Sequence, residues 1–349
     1  MEEKRRNERD KIDRRRFLKV ACGSAACLGA AACLPHADGD WDSCTESQPL
    51  IEAPSSNRVV EVHSEQAVIQ VEGKSAIDAG VVIAMFAAGL QSLTGQAEAA
   101  EAWRVVLPGR KDGERIALKA NALNQDVPSS PELLAAVIGS LTEGGIPAAD
   151  VFVWDRTVRE LELAGITPER LGVDCRGTIY SSGDDSGPGY EQEAACLSGC
   201  KIHLSTILTR ETDHLINVAV LKNHFAAGFS GCLKNNYGCF ENPYDFHDGC
   251  EQHIALLNAL PQIASVARLC VLDSLFAVTS GDTNKPADCE PGLILLSFDP
   301  VAIDQRGLDV RDRIRASRGQ DPGNPAGYLQ VAADMGMGNI DYDLQTIEI

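Results

Sequence analysis

Asp150-Val-Phe-Val-Trp154 is a short apolar run, and one helix separates it from a second such run, Arg115-Ile-Ala-Leu-Lys-Ala-Asn121. The helix starts at Ser130-Pro131-Glu132, a capping serine before a proline at the first helical position. It runs to Thr142 and stops at Gly144-Gly145. Strand, helix, strand at this spacing predicts a parallel pair joined by a right-handed crossover, because the chain must return over the sheet face before the second strand can run the same way.

The pattern recurs. Lys201-Ile-His-Leu204, His214-Leu-Ile-Asn-Val-Ala-Val-Leu221, Leu269–Leu275 and Gly292–Ser297 read as strands, and the second is apolar enough to be buried on both faces. Helical spacing marks Ser75–Leu93, Val301–Ser317 and Glu251–Ala267, the last kinked or split by Pro261. Arg58–His63 and Ala67–Val71 alternate as a hairpin or paired strands would, whereas Cys175–Gly189 reads as a stretch of low structure. The expectation is an α/β fold, a mostly parallel sheet with helices on both faces, built as one unit or as two joined subdomains.

The start of the chain is organised differently. Met1–Lys19 is strongly charged and carries Arg5, Arg6, Arg9, Arg14, Arg15 and Arg16, Val20–Leu34 is uncharged, and Pro35–Trp41 turns polar. A basic segment, an apolar run too short to span a bilayer and a small-residue site describe a signal peptide. Asp13-Arg14-Arg15-Arg16-Phe17-Leu18-Lys19 resembles the address read by the twin-arginine translocase. Residues 1–34 are therefore expected to be a twin-arginine signal, 35–57 a flexible tether, and 58–349 the α/β domain. Cleavage is expected after Ala32. Cys33 follows a small-residue stretch in which Ala30 stands where a lipoprotein signal has leucine, so a soluble exported product, periplasmic or otherwise extracytoplasmic, is expected rather than one lipid-anchored at Cys33. No membrane span is expected in the mature form.

The formal net charge is −19. With the nine basic and five acidic residues of 1–35 removed, 22 basic and 45 acidic residues remain, a net of −23. Such a surface repels nucleic acid and anionic lipid. The twelve cysteines are unusual. Cys196-x3-Cys200 would share one face of a helical turn, and Cys232 and Cys239 lie in a polar loop, so these four could ligate an iron–sulfur cluster, zinc or another metal. The spacing matches no recognised cluster signature, and outside the cytoplasm disulfides explain the same residues.

That polar loop leaves the buried strand as Leu221-Lys-Asn-His-Phe-Ala-Ala-Gly-Phe-Ser-Gly-Cys-Leu-Lys-Asn-Asn-Tyr-Gly-Cys239. Ligands of open α/β sheets bind at the carboxyl ends of strands. Lys222 and His224 are two apart, Lys234 and Asn235 add a cation and an amide, and Gly228, Gly231 and Gly238 would let backbone amides approach a ligand. Together with Lys119 and Asn121 they suit a small anion such as phosphate or carboxylate; the alternative is a solvated loop with a capping asparagine. Among the carboxylates, Asp155 ends a strand, Asp273 sits within one, Asp299 precedes Pro300 as a helix cap, and Asp304 falls one turn on, to bond with the Lys/Asn loop or with backbone amides.

Leu118-Lys-Ala-Asn121, Ser130-Pro-Glu132, Asp150–Arg156, Leu221-Lys-Asn-His224, Gly231-Cys-Leu-Lys-Asn235 with Gly238, and Asp299-Pro-Val-Ala-Ile-Asp304 resemble, in order, the recurring pieces of the domain of unknown function 362 family. The resemblance supports the fold and the location of a site and supplies no reaction. Some members carry ferredoxin-type cysteine clusters, an insertion this chain lacks. Two functions are expected from these observations. One is a metal- or iron–sulfur-linked redox or cofactor-binding protein with an anionic-ligand site; the other is a disulfide-stapled extracytoplasmic binding protein without catalysis.

Overall fold

Every side chain of the Ile116–Lys119 strand is buried, which requires cover on both faces of its sheet. The computed structural model describes residues 44, 49–51, 53–184 and 186–349; the expected signal, its arginines, the cleavage site and Cys33 lie outside the described residues. In chain order the strands are β1 (Arg58–His63), β2 (Val68–Val71), β3 (Lys74–Ile77), β4 (Ile116–Lys119), β5 (Val151–Thr157), β6 (Asp174–Ile179), β7 (Ala195–Leu197), β8 (Cys200–Ile202), β9 (His214–His224), β10 (Gly228–Ser230), β11 (Ala267–Val278), β12 (Leu293–Ser297) and β13 (Asp343–Glu348).

One sheet runs β13-β1-β12-β11-β9-β4-β5-β6, with β10 folded back against β9. Neighbours are parallel except at β12, which is antiparallel to both β1 and β11, and at β10. Side chains alternate across it as strand geometry demands. Ile116, Leu118, Val153, Ile216 and Val218 enter a core under the Ala79–Thr94, Ala99–Val106 and Pro131–Glu143 helices. Ala117, Phe152, Leu215, Ala219 and Leu221 enter a second core with the Cys250–Asn258, Pro300–Ser317 and Gly327–Asp334 helices. The α/β expectation holds, as one continuous sheet rather than two subdomains among the described residues.

The hairpin expected between Arg58–His63 and Ala67–Val71 does not form. β1 has four buried residues at its centre, so it needs neighbours on both sides and sits inside the sheet between β12 and β13. β2 pairs instead with β3 across Glu72 and Gly73, whose φ values of 51° and 77° make a two-residue hairpin turn. Ser75–Ile77 is thus strand, and the helix begins after Asp78, whose side chain accepts from the Val81 amide. Pro261 splits its helix as expected: one helix ends at Asn258, and Pro261–Ala264 forms a separate turn. Part of the stretch read as low structure, Asp174–Ile179, is β6.

Strand order has one consequence for position. From β4 the chain moves outward through β5 to β6, whereas from β9 it moves the opposite way to β11. The reversal lies between β4 and β9, and a crevice opens at the carboxyl ends of strands where winding reverses. Lys119 and Asn121 leave the end of β4; Lys222 and His224 end β9.

Candidate functional site

Five asparagines organise the switch point. Asn217, beside Lys119 in the ladder, donates to the Cys232 carbonyl at 2.7 Å and accepts from Asn235 at 2.8 Å. Asn235 accepts from Asn121 at 3.0 Å, and Asn121 accepts from the Lys222 ammonium at 2.7 Å. On the other side Asn236 donates to Asn258 at 2.7 Å. Amides carry both donor and acceptor, so such a chain satisfies buried polar groups without adding charge.

The basic residues divide into two kinds. Lys119 is fully committed: its ammonium lies 2.6 Å from Asp155 Oδ1 and 2.9 Å from the Ala120 carbonyl. Asp155 also accepts the amides of Ala122 and Arg156. Gly238 closes over this pair, and a Cβ there would stand 2.8 Å from Lys119 Nζ. Lys222 and Lys234 are equally buried, 2% and 7% exposed, and neither has a carboxylate in ion-pairing reach among the described residues. Lys234 rests its ammonium 3.6 Å over the Tyr237 ring. Burial pulls both lysines down to about 7, with Asp155 and Asp273 opposing the shift at Lys222.

His224 accepts the amides of Ala226 and Ala227 at Nδ1, each at 3.1 Å, so its proton is on Nε2. His247 has Nδ1 3.1 Å from the carbonyls of Pro243 and Tyr244; carbonyls only accept, so its proton is on Nδ1. The two rings lie 5.2 Å apart and 15° from parallel. Burial first, then Lys234, holds both imidazoles below the ordinary histidine value, His224 at about 3. At neutral pH one presents an Nε2 donor and the other an Nε2 lone pair.

Asp304 takes the backbone role. It accepts the amides of Cys232 and Leu233 at 2.6 and 3.0 Å and the Tyr328 hydroxyl at 3.2 Å, capping the Cys232–Asn235 turn that carries Lys234. Its carboxyl packs where a Gly231 Cβ would be. The loop glycines therefore make room for internal groups, Asp304 and the Lys119–Asp155 pair, rather than for ligand-facing amides. Asp299 caps its helix through the Val301 and Ala302 amides, as expected.

The four expected metal ligands do not assemble. Cys196 is in a disulfide with Cys44, Cα to Cα 5.7 Å, and Cys200 is also disulfide-bonded. They sit on β7 and β8, a hairpin turned by Ser198 and Gly199, not on a helix face. Cys232 is a free, buried thiol with its Sγ 3.7 Å from the Val271 carbonyl and hydrogen-bonded to the free Cys270 thiol. Burial holds the Cys232 thiol well above its ordinary value and the Cys239 thiol at about 12, so both stay protonated. No group of three or more His, Cys, Asp or Glu among the described residues is placed to hold a metal ion, and these residues do not fit an iron–sulfur cluster or zinc. His203 and His253 bond to the Glu191 and Phe246 carbonyls, and His214 to Glu114, as ordinary structural histidines.

The structure thus brings Lys119, Asn121, Lys222 and Asn235 into one network, sets Lys234 and His224 in a neighbouring group around Tyr237 and His247, and places Asp304 under the turn that carries Lys234. Sequence reading omitted Asn217, Asn258, Tyr237 and His247. Of these Asn217 alone carried a local signal, an amide inside an otherwise apolar strand. A groove of about 770 Å³ lined by Glu61, His63, Cys289, Arg313 and Arg318 lies elsewhere and shares no residue with the cluster.

Comparison with known proteins bears on the same region. The family model described as "Domain of unknown function (DUF362)" matches residues 116–309, a span that contains every residue of the cluster. No curated protein matches. A crystal structure of a protein from Thermotoga maritima aligns with a TM-score of 0.39 and 10% identity, over 74% of this chain and 59% of its own length.

Proposed function

We propose that this chain, which belongs to the domain of unknown function 362 family, is an exported binding protein for a small anion, carboxylate or phosphate, held at the β4–β9 switch point. One observation carries the reading. Of the five buried lysines and arginines among the described residues, Lys119, Arg306 and Arg311 have carboxylate partners in Asp155, Glu61 and Asp312. Lys222 and Lys234 have none. An uncompensated buried ammonium is costly, and here there are two, Lys222 within the asparagine network and Lys234 next in sequence to Asn235 of that network, in a chain with a large excess of carboxylates. A ligand anion supplies the missing charge. Lys222 offers the protons that Asn121 leaves unused, Lys234 its ammonium, and His224 its Nε2 proton.

Export through the twin-arginine translocase is part of the proposal. The Cys44–Cys196 disulfide supports it, because such bonds persist in oxidising compartments.

Titration calorimetry of the purified protein with inorganic phosphate and with acetate at pH 7 tests the site. Saturable binding of at least one is expected, weakened at least tenfold in Lys234→Ala and in Lys222→Ala. No binding of either anion, or unchanged affinity in both variants, overturns the assignment.

A further inference from the structure

Lys234 is linked to the surface by aromatic rings. His224, Phe225 and His247 form three nearly parallel rings: His224 to Phe225 5.0 Å at 16°, His224 to His247 5.2 Å at 15°, Phe225 to His247 6.0 Å at 3°. Tyr237, under the Lys234 ammonium, meets His247 edge-on at 5.9 Å, and Tyr244 leans on His247 at 5.7 Å. Lys234, Tyr237, His247 and Phe225 thus form one continuous series of contacts from buried cation to surface.

The outer members of this wall are bare. Phe225 is 57% exposed and Tyr244 78%. Single exposed apolar side chains are common and need no explanation, but of the three exposed Phe, Tyr or Trp side chains among the described residues these are two. Through His247 and Tyr237 they connect to Lys234, one of the two buried lysines in that set that lack carboxylates. Local sequence fixes the arrangement: Phe225 follows His224 directly, and Tyr244 lies in the short Pro243–Phe246 turn that delivers His247.

We infer that the anion bound at this site is borne on a flat unsaturated ring, an aromatic carboxylate or a ring-bound phosphate, with the ring against the Phe225–His247–Tyr244 wall. The inference rests on the anion site proposed above. Parallel rings with an open face accept another ring by offset stacking, and the neutral imidazoles carry no charge that would have to be hydrated there. An aliphatic anion would satisfy Lys222 and Lys234 and leave the wall in water; a ring-borne anion covers both.

Titration of the wild-type protein with four probes separates the two claims: acetate, benzoate, inorganic phosphate and phenyl phosphate. Benzoate is expected to bind at least tenfold more tightly than acetate, or phenyl phosphate at least tenfold more tightly than phosphate, since stacking on an aromatic side chain is worth about a factor of ten or more. Whichever pair shows the gap identifies the anion. In Phe225→Ala/Tyr244→Ala, both positions being exposed, that ratio should fall toward one. Equal affinity within both pairs in the wild type overturns the ring while leaving the anion site standing. A ratio unchanged in the double variant overturns the wall, and failure of all four probes to bind overturns both claims.

Discussion

A lysine buried without a counter-charge works against folding, and that makes Lys222 and Lys234 readable by stability as well as by binding. Asp304, the carboxylate nearest in sequence logic, bonds instead to backbone amides, so removing Lys234 breaks no ion pair. Lys234→Met and Lys222→Met are each expected to raise stability at pH 7 by about 1–3 kcal/mol while losing anion binding. Thermal melts beside calorimetry check this; a large loss of stability would mean an internal partner holds the charge. The pH dependence has a definite sign. Both lysines titrate near 7 when folded against an ordinary 10.5. Between those values the unfolded chain binds more protons, so their contribution to stability rises with pH from about 7 to 10.5. An anion reverses the shift. Binding at pH 8 should therefore take up protons, seen as a calorimetric enthalpy that changes with the ionisation enthalpy of the buffer.

At the scale of elements, the Cys232–Asn235 turn is too short to hold itself; it is held at its amino end by Asp304 and laterally by Asn217 and Asn258, which take the Cys232 and Leu233 carbonyls. Asp304→Asn replaces one of the two acceptor oxygens with a donor that faces the amide which that oxygen had accepted. It is expected to cost about 2–3 kcal/mol in denaturant unfolding and to weaken anion binding with it, because Lys234 loses its mount. Periodicity made the strand–helix–strand core legible, and the polar loop after an apolar strand made most of the site legible, since both are local patterns. What escaped was non-local. β1 looks like half of a hairpin until its central burial is known, and Cys196-x3-Cys200 suits a helix until Ser198 and Gly199 are seen at positive φ. His247 and Tyr237 acquire meaning only from the rings and the ammonium that folding sets against them.

Across the whole molecule the Cys44–Cys196 bridge joins residues 152 apart in sequence, tying the segment ahead of the domain to the β7–β8 hairpin. Chain-entropy reasoning puts the stabilisation from so long a loop at up to about 5 kcal/mol. Cys196→Ser should accordingly melt well below the wild type, and an unchanged melting temperature would show the bridge to be incidental. The same two sulfurs report export. With Arg14, Arg15 and Arg16 replaced by lysine, the precursor is expected to remain in the cytoplasm, since lysine is not equivalent to arginine in that address. Cys44 and Cys196 should then both be open to alkylation; normal export of that variant would refute the signal. One further consequence concerns time rather than strength. β1 lies between β12 and β13, so the earliest made of the described strands has no neighbour until the ribosome has passed residue 297, and gains its second only with residues 343–348. Until then its row of valines waits unpaired. Long-range pairing of this kind slows folding and leaves an adhesive edge on the unfinished chain, so the nascent polypeptide needs shelter from the making of β1 until β12 and β13 have followed.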